Sequence, residues 1–464
     1  MRPDMLRLIR AILQHSECYN FMEKALLIFL HVVRFSEDAI PPECWEMLSL
    51  LFQSVDSGVG VDFFVNIEEV LDNLVSGATL EFLTNGPIME ATFLACQKML
   101  IGGVVCVPEC KIAAAQMIEA LFHQAKGCTA HPGLLDAHLP HFVDLLLQSL
   151  VHSDLQETLD PQLRIWIVAA MMDCFYYNPR LAFEALVRAN AHEAFFRGFF
   201  YLFRGCIPEL SPLAPFQAAR GTKKVAKPRK VYPDATEAAE VVELLSILTR
   251  KVLILGLTSL MGFVGGYAGG GAPPDGEGLA LAARVFLEQH LLKAVGLAQY
   301  CIFRNQGIYT KRCQVSERNL HDIRTGADPK KDDDVDVDDD DLLDLNAASD
   351  DDEDDEGGMD DFQAIDDNDE DDDDDDDDFG VSVDEGDDYE SPIDEINEVQ
   401  FFLQWLGHFL HQDVALRASV LPILKAENEY TNAEQTAQRY RQLCKELDAA
   451  MREDIQRRQR QAAG

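Results

Sequence analysis

Two groups of residues in this chain are of the types from which metal sites are made. Cys106, Cys110, Cys128 and His131 run in the order Cys-x3-Cys and then Cys-x2-His, and thiolates with imidazoles are the ligands zinc takes. Spacing decides against them. The apolar pattern puts Cys110 near the start and Cys128 near the end of a single helix, and eighteen residues of straight helix cover about 27 Å, too far for one ion. His138 and His141 share a helix face at i, i+3, with no carboxylate or cysteine in a recognisable pattern beside them, and they read as solvent-facing or internally satisfied histidines. The stretch "GGYAGGGAPPDGEG" from Gly265 has the glycines of a phosphate loop. It lacks a preceding strand, Walker spacing and a Lys-Ser/Thr pair, so it reads as a flexible connector. No Gly-x-Ser-x-Gly elbow, His-Glu-x-x-His pair or nucleotide fingerprint appears. The sequence offers no catalytic residue, no metal site and no cofactor site, and a non-enzyme is expected.

The chemistry that the chain does carry is charge. Its formal net charge is -42, yet residues 332–390 alone hold 35 Asp or Glu and no Lys or Arg, which leaves -7 on everything else. Such a segment repels itself and has little apolar surface to bury, so a disordered tract is expected. It attracts basic partners and repels nucleic acid and anionic membrane; the plain alternative is a solvated spacer. The densest run is Asp366, Asp367, Asp369, Glu370, Asp371, Asp372, Asp373, Asp374, Asp375, Asp376, Asp377 and Asp378. Phe362, Ile365 and Phe379 interrupt the acids, either as apolar anchors for a partner or as incidental residues.

The elements around this tract are helical. In "PDMLRLIRAILQHS" Met5, Leu8, Ile9 and Ile12 make one apolar stripe at i, i+3, i+4, i+7, with Arg7 and Arg10 off it. The pattern repeats through residue 205 in about nine amphipathic segments, many opening with Pro and closing with Gly, as helices do. No period-2 strand pattern of any length interrupts them. Short breaks make neighbouring helices antiparallel, and one helix pair occupies roughly 40 residues, the length of a HEAT or armadillo repeat. Because no segment reads as apolar all round, an α-solenoid is favoured over a compact bundle. The expected organisation is helical repeats over 1–205, a Pro-rich and basic loop over 206–234, further repeats over 235–331 with a Gly-rich loop at 265–278, the tract at 332–390, and a closing helical hairpin over 391–464. Thr236 is a candidate N-cap for the second set of repeats.

Lys223, Lys224, Lys227, Arg229 and Lys230 in the basic loop fit a nuclear localisation signal or nucleic-acid patch, a solvated loop, or an internal partner for the tract. No signal peptide opens the chain, the 11 cysteines are an odd number, and reduced thiols in a cytosolic or nuclear setting are expected. The most apolar run, from Val252, looks too short to span a bilayer.

The order of features resembles the C-terminal half of an importin-β (karyopherin-β) superfamily receptor, in its importin 7 and importin 8 branch. "MLRLIRAILQ" from Met5, "PPECWEMLSLLF" from Pro41, "VDFFVNIEEVLDNLV" from Val61, "CFYYNPRLAFEAL" from Cys174 and "KVLILGLTSLM" from Lys251 carry the resemblance. Most telling is the acidic tract leading through "SPIDEINEVQFFLQWL" into terminal helices. The colinear motifs run through nearly the whole chain, with 206–234 and 265–278 divergent. The resemblance implies an all-α HEAT-repeat solenoid that shuttles between nucleus and cytoplasm through the nuclear pore, carries basic cargo such as histones and ribosomal proteins, and binds Phe-Gly repeats of nucleoporins. It implies that the Ran GTPase is engaged by an N-terminal half that has no counterpart here. A start in mid-solenoid leaves an apolar face uncapped, so the chain is expected to be part of a longer receptor. The family's Phe- and Gly-rich tail is also absent after "RQAAG". The alternative is a stand-alone acidic chaperone for the same basic proteins.

Overall fold

Residues 2–36, 40–103, 107–154, 161–207, 238–239, 241–269, 277–325, 391–412 and 414–463 are described by a computed structural model. The basic residues at 223–230, Thr236 and the whole acidic tract lie outside them. The described residues belong to one compact unit, and no strand occurs among them.

The chain first forms α1 (Arg2–Gln14), α2 (Met22–Arg34), α3 (Pro42–Ser57), α4 (Phe64–Gly77), α5 (Thr79–Thr84) and α6 (Gly86–Ile101). Then come α7 (Pro108–Gly127), α8 (Leu139–Asp154), α9 (Pro161–Tyr177), α10 (Pro179–Arg188) and α11 (His192–Leu202). Local chemistry explains the boundaries. Pro opens α3, α7, α9 and α10, where the first turn has no use for its missing N–H. The side chains of Asn85 and Asn178 accept from the amides of Ile88 and Leu181 and cap α6 and α10. Gly58, at φ 93°, ends α3 in the left-handed conformation that favours glycine.

The later elements are α12 (Ile247–Gly269), α13 (Glu277–Gln289), α14 (Leu291–Thr325), α15 (Glu398–Gln412), α16 (Val414–Val420) and α17 (Glu427–Ala463). Packing sorts the helices into two rows. One row stacks α1, α3, α6, α8, α10 and α13; the other stacks α2, α4, α7, α9, α12, α14 and α17. Each helix touches the next in its own row, and pairs such as α1 with α2, α6 with α7, α8 with α9 and α10 with α9 join the rows across the layer. That is an α-solenoid of HEAT type, as the periodicity predicts, and not a bundle. Aromatic edges knit the rows together. Phe93 meets Phe142, Phe142 meets Phe122, and Phe122 meets Tyr177, with centroids 5.2, 5.6 and 5.4 Å apart, a geometry that adds to burial.

Several expectations change. On α1 the inward residues are Leu6 and Ile9, while Leu8 is 53% exposed. With apolar residues at 5, 6, 8, 9, 12 and 13, periodicity admits either stripe, and contact with α2 and α3 selects one. Two helices are buried on all sides over part of their length, against the expectation of one buried face each. From Ile167 to Tyr177 every residue of α9 is buried, and so is every residue from Thr249 to Thr258 on α12. The apolar run from Val252 belongs to this longer helix of 23 residues. By length and composition α12 is enough to cross a membrane, but 72% of its apolar window is buried within the protein. It also continues through Gly265–Gly269, so the Gly-rich connector starts later than its composition suggests. Its cap is Ser246, whose hydroxyl accepts from the Thr249 amide at 3.0 Å.

The sequence from Leu279 to Arg304 has no Gly-Pro break and reads as one long helix, but the helix breaks at His290. There the imidazole stacks on Phe200 at 5.3 Å and lies against Phe196 and Phe286. Burial, with Lys293 and Arg197 adding to it, pushes the His290 pKa down from 6.5 to about 4. The unfolded chain takes up this proton near 6.5 and the folded chain only near 4. Stability present above pH 6.5 is therefore lost progressively as the pH falls from 6.5 to 4. The pH dependence of the melting temperature over that interval becomes shallower in His290→Phe.

Gly256 sets the closest approach of α9 and α12, since a Cβ there would stand 2.5 Å from the Met172 carbonyl oxygen. Helix propensity alone favours alanine at this position by roughly 0.8–1.0 kcal/mol. Two backbones forced apart cost about 1–3 kcal/mol, and the clash wins because the obstructing atom is main chain. Gly256→Ala is expected to lower stability by about 1–2 kcal/mol in urea melts; an unchanged or raised midpoint contradicts this packing.

Candidate functional site

The described chain resumes at Ser391, and the segment that follows packs onto earlier helices. "SPIDEIN" was expected to begin a helix. It forms a turn instead: the Ser391 amide donates to Asp394 Oδ2 at 2.8 Å, and the Asp394 amide donates to the Ser391 carbonyl at 2.8 Å. Asn397 then caps α15, accepting from the Gln400 amide. Pro392 seats against the end of α7, where a Cβ on Gly127 would come within 2.8 Å of it. Absence of a side chain at Gly127 thus lets the returning chain lie against an earlier repeat.

From there α15 lies along α12. Val399, Phe402, Leu406 and Phe409 are buried, Phe401 meets Tyr176 of α9 edge-on, and Trp405 stacks on Phe409 at 5.0 Å. Each fully buried side chain of this size contributes roughly 1.5–3 kcal/mol, so α15 is integral to the unit rather than a loose closing hairpin. Beyond it, Gln299 of α14 clamps the connector to α17. Gln299 donates to the Ile423 carbonyl and accepts from the Lys425 amide and the Tyr430 hydroxyl. Arg441 and Lys445 of α17 reach back to Glu395.

Between α12 and α15 lies a cleft of about 340 Å³, with Phe401 and Trp405 as its aromatic wall and Ser259, Gly262, Gln404 and His408 completing it. A Cβ on Gly262 would stand 3.4 Å from the Trp405 ring. Its wall is mainly apolar and aromatic, with a few polar groups at the edge.

Beneath the returning segment runs a buried polar line that crosses the second row of helices. His123 Nε2 of α7 and Asp173 Oδ1 of α9 share a hydrogen bond of 2.6 Å, and both residues are buried, as is Glu119 one turn before His123. Lys251 of α12 donates to the Asp394 carbonyl at 3.0 Å, and the Tyr309 hydroxyl of α14 donates to Glu398 at 3.1 Å. Burial, reinforced by the charge of Asp173, raises Glu119 to about 8. Burial also raises Asp173 well above the usual carboxylate range and lowers both His123 and Lys251. Glu68 on α4 is raised by burial and by neighbouring Asp72.

The residues singled out in the sequence fare differently. Cys110 and Cys128 stand at opposite ends of α7, so they do not share an ion. His131 and His141 are exposed, and His138 lies in the turn before α8. Cys106 lies outside the described residues, and no disulfide forms among the ten cysteines within them. Phe362, Phe379 and the run Asp366–Asp378 also lie outside, and the structure describes only the helix end and the turn that flank the tract. The Glu119–His123–Asp173 group was missed. Its signal is a Glu and a His at i, i+4 within the apolar "AAAQMIEALFH" face, and one Asp inside "VAAMMDCFYY".

Compared with known proteins, the chain is 28% identical to importin-8 of Homo sapiens over 183 residues, which is 39% of this chain and 16% of that protein. It is 24% identical to a probable importin-7 homologue of Dictyostelium discoideum over 181 residues, again 39% of this chain and 16% of the relative. The similarity is to importins. It confirms the resemblance carried by the motifs, although the aligned part is 39% of the chain and not nearly all of it. The match spans about one sixth of the length of these relatives. No family model matches the chain, and no solved structure matches it.

Lys251→Met removes the cation of the polar line and leaves the Asp394 carbonyl without its donor. A loss of roughly 1.5–3 kcal/mol is expected, the worth of a hydrogen bond to a charged group. It would be read in chemical denaturation together with faster proteolysis at residues 391–397. Unchanged stability and unchanged cleavage contradict the anchoring role of Lys251.

Proposed function

We propose that this chain is the cargo-side portion of a nuclear import receptor that carries basic proteins through the nuclear pore. The observation that carries the reading is sequence similarity to importins on a two-row HEAT-type solenoid. The acidic segment at 332–390 supplies the contact with cargo. Its 35 carboxylates neutralise basic surfaces such as those of histones or ribosomal proteins without requiring one fixed geometry. Within it, the run from Asp366 to Asp378 is the densest part, and Phe362 and Phe379 offer apolar anchors. The cleft between α12 and α15 takes the phenylalanine of nucleoporin Phe-Gly repeats. Ran regulation belongs to a longer receptor that includes the family's N-terminal half. Neither nucleic acid nor membrane is a direct partner, and shuttling between cytoplasm and nucleus follows from the reading.

Two variants separate the roles. Deleting residues 332–390 is expected to weaken histone binding at low ionic strength by at least about tenfold. The difference shrinks as salt rises, because exposed charges are screened beyond about 8 Å at physiological ionic strength. Ser259→Phe, which fills the cleft from the α12 side, is expected to abolish binding of a Phe-Gly repeat peptide and leave histone affinity unchanged. Histone binding that survives the deletion at low salt contradicts the role of the tract. Histone binding that depends on the tract, with no Phe-Gly binding by the intact chain, points instead to an acidic chaperone.

A further inference from the structure

Glu119, His123 and Asp173 lie midway along the second row of helices, where α7 packs on α9. Each offers one ligand atom, and these atoms all lie within 4.8 Å of one another. All three residues are buried: Glu119 and His123 are each 4% exposed and Asp173 is 1% exposed. The His123–Asp173 hydrogen bond occupies Asp173 Oδ1, while Asp173 Oδ2 and Glu119 Oε2 are buried without a hydrogen-bond partner. An unmatched buried carboxyl oxygen is costly, about 1–3 kcal/mol, and two converge here on one imidazole. The surroundings add further negative charge from Asp72 and Asp394, against Lys251.

We propose that Glu119, His123 and Asp173 form a binding site for one divalent cation of the zinc class. Zinc takes nitrogen and carboxylate oxygen ligands at about 2.0–2.2 Å, which places ligand atoms roughly 3–4 Å from one another. The present separations reach that range by side-chain rotation, with the His123–Asp173 contact opening by less than about 1 Å. An imidazole ligand separates this set from magnesium and calcium sites, which are built from oxygens. The bound ion would match both orphaned oxygens and tie two adjacent repeats together, close under the turn that brings the chain back after the acidic segment. With the three residues closed off from solvent, the cation is taken up as the chain folds. The site does not depend on the transport reading.

The test uses the full chain, unfolded with chelator and refolded with or without zinc chloride. Expected are one zinc per chain after desalting, slow removal by chelator under native conditions, and a melting temperature several degrees above that of the metal-free protein. Cobalt substitution identifies the ligands, since the chain has 11 cysteines. Visible d–d bands without thiolate charge-transfer absorption support an imidazole and carboxylate site. His123→Gln is expected to lose at least nine-tenths of the bound metal, and Glu119→Gln, which preserves shape, to bind at least tenfold more weakly. If His123→Gln fails to fold, the cobalt spectrum of the unaltered chain and Glu119→Gln decide. Absence of retained zinc, thiolate bands in the cobalt spectrum, or equal retention by Glu119→Gln overturns the site.

Discussion

The fold depends on the need to cover α12 on every side. An amphipathic helix is satisfied by one neighbouring layer, but a helix that is buried from Thr249 through Thr258 exposes apolar surface unless it is surrounded. Helices α9 and α14 flank it in its own row, α10 and α13 approach from the other row, and α15 lies on the face that remains. The last of these comes from the far side of the acidic segment. The chain can therefore carry a long charged insertion and still resume folding, because the returning helix has a specific place to go. Phe402, Leu406 and Phe409 supply the apolar stripe, and Gly262, Gly265 and Gly127 supply the close approaches that fix the position.

Charge is partitioned in the same molecule on two scales. Apart from 332–390 the chain carries a net charge of only -7, so nearly all of the excess negative charge sits in one segment. The buried line from Glu119 through His123 and Asp173 to Lys251 is the exception, because its carboxylates are held where water would otherwise be needed. Burial raises the carboxylates and lowers His123 and Lys251. The line meets the returning chain at Asp394, so the segment that follows the acidic tract is anchored electrostatically as well as by its aromatic residues.

The class of fold was legible in the sequence because helical periodicity, Pro at helix starts and Gly after helix ends all agree from residue 1 to about 205. The family resemblance was legible in colinear motifs such as "VDFFVNIEEVLDNLV". What periodicity could not supply was orientation and long-range placement. Leu8 and Leu6 fit the same helix equally well, and only contact with α2 and α3 turns Leu6 inward. The complete burial of α9 and α12 was hidden in the sequence, because Asp173 on α9 and Arg250 and Lys251 on α12 read as solvent-facing residues and are buried instead. The break at His290 leaves no Gly or Pro to mark it, since it arises from an aromatic cage contributed by residues 196, 200 and 286. The Glu119–His123–Asp173 group spans two helices 50 residues apart, beyond the reach of local spacing rules.

Amide hydrogen exchange on the full chain tests most directly the claim that α12 and α15 form one cooperative unit. The account predicts that amides of residues 252–260 and 402–409 are among the slowest in the protein and open together, with equal free energies at every denaturant concentration. Fast, independent exchange of residues 402–409 over a still-protected α12 would contradict it. The segment after the acidic tract would then be an attachment, not part of the core.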